Sequence, residues 1–447
     1  STLYVRGKEA PKLEKVNDYT LKFTFPEPFF FAETALATLE EMAWPKHIMK
    51  QYHPKYNSSA TWETWNENLS YLKGRGKVSL SAWVLEEYLP GEKFVLVRNP
   101  YYWKVDERGN QLPYLDRVEV LEVEDRQSVA LGNVSGQFDA DGMWVGAQHL
   151  QLFLVEQPKR KYDVGFGKVP GMAMYFDYDA EDPTLRAVFR DVNFRRAFSL
   201  AINREEIGSV LFADMLTPSG WTFAAASPYV NPDDFVRWSE FDPDQAKKLL
   251  DAAGLKDTNG DGVREAPDGK PFSITLDIPQ HDLYVPLNEM VVEQLGAVGV
   301  KLIMNVQHQN LIEERRTGNE WQIHIFDLNG VDEPLANLVE WVPVTNITPF
   351  FHQKSSKAPF SPAFKEFSDI LLGARTLRYA DRVAAMKKAN GIMSDNVFGI
   401  HIGYYDRPFI KSHRITNVPD RYARVGEFGS NQPAFRYLQT FMRWDKP

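Results

Sequence analysis

The chain has 447 residues, of which 43% are hydrophobic and 25% charged, with a formal net charge of −9 and no cysteine. That length exceeds one ordinary core and makes two or three lobes the default. The acidic balance, without a basic run, argues against nucleic acid as a partner, and the lack of thiols excludes cysteine nucleophiles, zinc–thiolate sites and iron–sulfur clusters.

The first residues, STLYVRGKEAPKLEKV, carry no apolar stretch of signal-peptide type, as expected for a cytosolic chain or one already processed or trimmed. A cysteine-free chain of this length suits an oxidising compartment or a hot habitat. The segment DYTLKFTFPEP (18–28) sets Leu21, Phe23 and Phe25 against Lys22 and Thr24, which is strand period, and Pro26 ends it. The apolar run PFFFA (28–32) is far short of the roughly 18 residues of a membrane helix. Segment 60–77, rich in Trp, Asn and Gly, reads as loop or irregular helix. Strands are expected in EKFVLVRNPYYW (92–103), stopped by Asn99-Pro100, and in LDRVEVLEVED (115–125).

The period changes at 191–212, where Phe194, Ala197, Phe198, Ala201 and Leu211 recur at helical spacing with a bend near Asn203. FDPDQAKKLLDAAGL (241–255) carries a full set of helix signals. Asp242 is the N-cap, Pro243 the first helical residue, Gln245 the capping-box partner, and Gly254 the left-handed C-terminal residue. A helix, Gly299 and a strand are expected across 288–307, a strand at 321–330 and a helix at 378–396. Strands alternating with helices predict α/β lobes with mixed sheets.

Between the capped helix and the strand Phe272–Ile278 lies DTNGDGVRE (257–265). Asp257, Asn259 and Asp261 alternate ahead of Gly262, the opening of an EF-hand-type calcium loop. Position 12 of such a loop is a glutamate, whereas here it is Asp268, and the exit is Pro267, an Asp-Gly turn and a strand rather than a helix. The reading is therefore a polar turn that uses Asn and Gly for positive φ, with a structural calcium ion at Asp257, Asn259 and Asp261 as the alternative. Nucleophile-elbow, phosphate-loop and zinc-protease motifs do not occur. The pairs in EDP (181–183) and DEP (332–334) could serve as glycosidase acids, and are more ordinarily turn residues before proline. With 11 Trp and 19 Tyr, aromatic residues make up 13% of the chain, which favours a large amphipathic ligand pocket.

The ordered series LPGEKFVLVRNPYYW, GNQLPYLDRVEV, GQFDAD, DPTLRAVFRDVNFRRAFSLAINREEI, FDPDQAKKLLDAAGLKDTNGDGVREAPDGKPFSITL and EQLGAVGVKL strongly resembles the family 5 extracellular solute-binding proteins of ABC importers, which bind peptides, nickel or oligosaccharides. The resemblance covers nearly the whole chain. It implies an α/β, two-lobed fold of the periplasmic-binding-protein kind (type II, the large three-subdomain form) with mixed sheets and a ligand cleft between the lobes. The implied division is 1–57 as the remainder of an extra subdomain of lobe one, 58–172 as its core, 173–425 as lobe two, and 426–447 as a return to lobe one. Family members carry more than a hundred residues ahead of a strand like that at 18–28, so a further N-terminal region is expected.

The segment ERRTGNEWQIHIFDLNGVDEPLANLVEWVPV (314–344) stands where the family sets specificity. Peptide receptors there hold an aspartate four residues before a proline, to bind the peptide ammonium; counting back from Pro334 gives Gly330, with Asp332 displaced by two. This favours the oligosaccharide branch over oligopeptides. Trp341 is the first candidate for stacking on a sugar face, with Asn329, Asp327 and Asp332 as hydroxyl partners. Trp83, Trp144, Tyr404 and Tyr405 are further aromatic candidates, and Arg315 could meet an anionic group. The resemblance implies a monomeric, periplasmic or extracellular receptor, with or without a lipid anchor, that needs no cofactor, performs no catalysis and delivers its ligand to the transmembrane subunits of an ABC permease. A secreted carboxylate-dependent glycoside hydrolase is the rival class.

Overall fold

The structure, a computed structural model, describes residues 11–37, 45–69, 80–141, 145–327, 333–343, 351, 359–417, 421–422 and 443–444. The chain divides into two compact units. One comprises 1–39 with 170–405, the other 40–169 with 406–447, so the chain passes between them three times.

In the smaller unit, strands Trp83–Leu89, Lys93–Arg98 and Arg117–Leu121 form an antiparallel meander. The second strand ends where Asn99-Pro100 removes the next backbone donor. Ala82, Trp83, Tyr102 and Leu112 form the core beneath this sheet. A second core gathers Val129, Ala130, Val134, Val145, Phe153, Tyr162 and Ile410. Its helix Arg126–Ser135 is capped by Asp125, whose carboxylate accepts from Ser128 N–H at 2.8 Å. The segment at 60–77 contains a regular helix, Trp62–Leu69, where composition alone suggested a loop or irregular helix.

The larger unit is built on a mixed five-stranded sheet in the order Leu302–Gln307, Ile274–Pro279, Ile323–Asp327, Met172–Phe176 and Ile400–His401. The first three run parallel, and Met172–Phe176 is antiparallel to both of its neighbours. Every residue of Met172–Phe176 is buried, as expected of a strand covered on both faces. Helices Val192–Leu200 and Pro243–Ala252 pack on one another, as do Pro362–Ala374 and Tyr379–Asn396.

Most helical signals of the sequence have direct counterparts, the capping box expected at Asp242 and Gln245 being represented by its Asp242 half. The expected bend near Asn203 is a break between Val192–Leu200 and Arg204–Leu211, and Asn203 caps the second helix through Glu206 N–H. Asp242 accepts from Gln245 N–H at 2.8 Å, and Gly254 takes φ +82° just past the helix end. An N-terminal hairpin pairs Lys12–Asn17 with Thr20–Thr24. Beyond it Phe29 and Phe31 are buried in the larger unit.

Candidate functional site

The segment that the sequence singled out for specificity begins on strand Ile323–Asp327, whose last residue pairs with Met172. Asn329 and Asp332, along with Trp144 in the smaller unit, lie outside the described residues. Glu333 caps the 3-10 turn Pro334–Glu340 by accepting from Leu335 N–H at 3.2 Å. Pro334 suits the first position because its missing N–H would have no helical partner there. Trp341 ends the turn, with its N–H on Leu338 O at 3.0 Å.

Trp341 is 4% exposed and meets Phe223 edge to face, with centroids 5.1 Å apart and an interplanar angle of 84°. Phe223 stacks on Phe367, and its N–H donates to Asn390 Oδ1 at 3.0 Å. Buried indole N–H groups almost always have an acceptor, yet Trp341 Nε1 has none among the described residues. The same holds for Asn390 Nδ2, on the amide whose oxygen accepts from Phe223 N–H. Neither Phe223 nor Asn390 carried a signal in the sequence, since they lie far from Trp341 along the chain and only the fold unites the three.

The start of the same turn belongs to a polar cluster. Tyr229 Oη donates to Glu333 Oε2 at 2.7 Å. Burial raises the Glu333 carboxyl above its ordinary range, partly offset by the Tyr229 hydrogen bond, Leu335 N–H and the charges of Arg382 and Arg375. Arg375 is almost fully buried, and both its Nε, at 2.9 Å, and Nη2 donate to Leu335 O. Burial lowers its pKa to about 10, against the opposing charge of Glu333.

The other candidates are placed differently. Trp83 belongs to the core of the three-stranded sheet. Tyr404 and Tyr405 open strand Gly403–Ser412 and are buried; Tyr404 stacks on Phe235 at 5.8 Å, and Tyr405 lies 4.7 Å from Phe212. His401 sits edge-on to Tyr404 and shares a 2.7 Å hydrogen bond between Nδ1 and Ser219 Oγ. Burial, with the Arg204 charge beside it, pushes the His401 pKa down to about 3. Arg315 is engaged by the fully buried Asp277, its Nε 3.3 Å from Oδ2. Of the acids that the hydrolase reading invoked, Asp182 and Glu333 act as caps, and Asp332 lies outside the described residues. Asp182 accepts from Thr184 and Leu185 N–H, and Glu333 caps the next turn as described.

In the DTNGDG loop, ligand-type oxygens of Asp257, Asp261 and Glu265 lie within 4.8 Å of one another. Glu265 is the member that motif counting missed, because the EF-hand template directs attention to position 12. Asp268 at that position pairs instead with Lys270. The oxygens are occupied by the loop's own donors: Asp257 accepts from Gly260 and Gly262 N–H, Asp261 from Val263 N–H, and Glu265 Oε2 from Thr258 N–H and Oγ. A hard cation would find oxygen ligands of the right type here, but the loop's conformation is already held by hydrogen bonds.

Residues 2–347 match the profile described as "Bacterial extracellular solute-binding proteins, family 5 Middle". The chain is 27% identical over 444 residues to a periplasmic alpha-galactoside-binding protein of Rhizobium meliloti, covering 92% of this chain and 62% of that relative. Among solved structures, it is similar to the periplasmic binding protein MelB of Agrobacterium fabrum C58, determined in complex with stachyose. That similarity has a TM-score of 0.77 at 24% identity and covers 94% of this chain and 66% of that one. It is also similar to the oligopeptide-binding protein AppA of Bacillus subtilis, determined with a nonapeptide, with a TM-score of 0.73 at 18% identity over 98% of this chain and 79% of that one. The chain thus spans 62% of the length of that curated relative. Among the described residues, no helix is long and apolar enough to cross a membrane. With the profile matching well over half of its length, the chain belongs to the family 5 bacterial extracellular solute-binding proteins.

Proposed function

We propose that this chain is the substrate-binding component of an ABC importer, working outside the cytoplasmic membrane, that captures an oligosaccharide and presents it to the permease. The ligand class is an α-galactoside-type oligosaccharide, by analogy with the R. meliloti relative. The observation that carries this reading is Trp341, a buried aromatic ring whose N–H lacks an acceptor among the described residues, on the segment where the family resemblance locates specificity. A sugar offers what such a group needs, an apolar C–H face for the ring and hydroxyl oxygens for the donor. Asp327, Asn329 and Asp332 are assigned as further hydroxyl partners.

Capture is proposed to work by hinge closure, with ligand contacts stabilising the closed form that the permease senses. The protein performs no catalysis; the caps formed by Asp182 and Glu333 support this, since each carboxylate already serves a turn.

The deciding experiment is a thermal-shift and calorimetric screen with raffinose, stachyose, mannohexaose and a nonapeptide. A ligand at a hundred times its Kd stabilises the folded state by about 2.7 kcal/mol, so a specific sugar raises the midpoint by several degrees. Tight nonapeptide binding with no response to sugars would transfer the assignment to oligopeptides, and cleavage of the glycan would transfer it to a hydrolase.

A further inference from the structure

We infer that Phe31 is a positioning residue for the proposed ligand segment, holding the Arg375 guanidinium on the carbonyl of Leu335 and so setting where the turn 334–340 delivers Trp341. The inference rests on the reading of Trp341 given above.

Phe31 lies in the apolar run PFFFA and is 1% exposed. Its ring is flanked by two guanidinium groups, Arg375 at 5.5 Å and Arg382 at 5.4 Å from the centroid. Its neighbour Phe30 is half exposed and has one guanidinium over its ring, that of Arg378 at 5.6 Å, so that contact is made in water rather than in the interior. The two guanidiniums therefore share one buried ring between them. Arginine on an aromatic face gains most when water is excluded, and Arg375 and Arg382 are both buried.

Two donors of Arg375 converge on Leu335 O. Leu335 is the second residue of the turn, and the same turn closes on Trp341 and Val342 through Leu338 O. At about 2 Å rise per residue, a 3-10 turn spans about 12 Å between residues 335 and 341. A shift of the Arg375 anchor is transmitted along that short, hydrogen-bonded rod. Glu333 adds the opposite charge and is itself fixed by Tyr229. The ring of Phe31 completes the enclosure. Without it a flexible guanidinium regains other rotamers and the carbonyl loses its fixed partner.

The test is 19F NMR on the full chain labelled with 5-fluorotryptophan, the Trp341 resonance being assigned through Trp341→Phe, together with calorimetry using stachyose. Phe31→Leu keeps apolar volume and removes the π face. It is expected to move the ligand-free Trp341 resonance and to weaken stachyose binding about tenfold. Arg375→Lys added to it is expected to cause no further loss, because the two act in series. Phe31→Ala is expected to show the same pattern more strongly, and if it fails to fold, Phe31→Leu carries the test. A folded Phe31→Leu variant with either readout unchanged overturns the inference and leaves Phe31 as an anchor of the N-terminal segment. If the wild type binds none of stachyose, mannohexaose and a nonapeptide, the proposed function falls, and the ligand-free resonance alone decides: a shift supports the positioning role, no shift overturns it.

Discussion

The loop at 257–265 and the turn at 333–341 both hold buried polar groups, and they satisfy them in opposite ways. In the loop, Glu265 receives Thr258 and Asn259 from no more than seven residues away, and Asp257 and Asp261 accept amides within five. Arg264 reaches further, to Leu255 O and Val298 O, each just past the end of a helix. In the turn, Glu333 depends on Tyr229, 104 residues away, and Leu335 O on Arg375, 40 residues away, while the Trp341 N–H is left over among the described residues. A region that completes its own hydrogen bonds is shaped for the fold. A region that borrows partners and keeps a donor in reserve is better suited to meet something else.

The largest effect is expected at Trp341. Trp341→Ala removes a buried indole and should cost about 3–5 kcal/mol by urea denaturation, together with measurable sugar binding. Trp341→Phe tests the donor separately. It retains most of the apolar contact with Phe223 and removes a group without an acceptor, so stability should change by no more than about 1 kcal/mol while sugar affinity falls about tenfold. Unchanged affinity in that variant would place Trp341 with Trp83 as a core residue and erase the contrast with the loop.

Next comes Glu265→Ala, expected to cost about 2–3 kcal/mol, because Thr258 N–H and Oγ and the Asn259 amide lose their acceptor in a half-buried setting. The damage should stay local. Amide exchange should accelerate over 256–271, and ligand affinity should remain within about twofold of wild type, since this loop closes on itself. Loss of binding in this variant would show that the two regions are coupled.

These two regions also explain what could be read from the sequence. Asp242, Pro243, Gln245 and Gly254 announce their helix because the capping bonds run between residues a few positions apart, and Asp257 to Gly262 announce a turn for the same reason. The order of recognisable pieces gave the family and with it the α/β architecture. The surroundings of Trp341 were not legible: Phe223, Asn390, Arg375 and Phe31 are scattered across the chain, and nothing in their local patterns links them. Arg315 was legible as a cation, but not the buried Asp277 that engages it, because that pairing depends on the sheet bringing 274–279 beside the helix that carries Arg315.

A third test uses pH on another long-range pair, His401 with Ser219, 182 residues apart. The folded pKa of His401 is about 3, against an ordinary value of 6.5. The folded protein therefore keeps the ring neutral, while the unfolded chain takes up a proton below pH 6.5. This stability is fully present above pH 6.5 and is lost as pH falls from there toward 3. The loss at pH 5 relative to pH 7 should be about 2 kcal/mol from this group, and His401→Asn should remove about that much of the pH dependence. His324, lowered to about 4 by burial, leaves a residual slope of the same sign. An unchanged pH profile in His401→Asn would show that the ring is accessible to protons in the native state.

The smallest effect is expected from divalent cations, and it bears most directly on the loop. Because Asp257, Asp261 and Glu265 already accept hydrogen bonds from the loop's own backbone and side chains, the conformation stands without an ion. Adding EDTA should shift the thermal midpoint by less than about 1 °C, and millimolar Ca²⁺ by no more, since a site that gains little on binding contributes little stability. The converse outcome would be equally informative. A rise of several degrees with Ca²⁺, abolished by Glu265→Gln but not by Asp268→Asn, would mean that three carboxylates within 4.8 Å of one another are kept close for a cation. The loop would then share the role proposed for the turn at 333–341, that of holding groups ready for an outside partner.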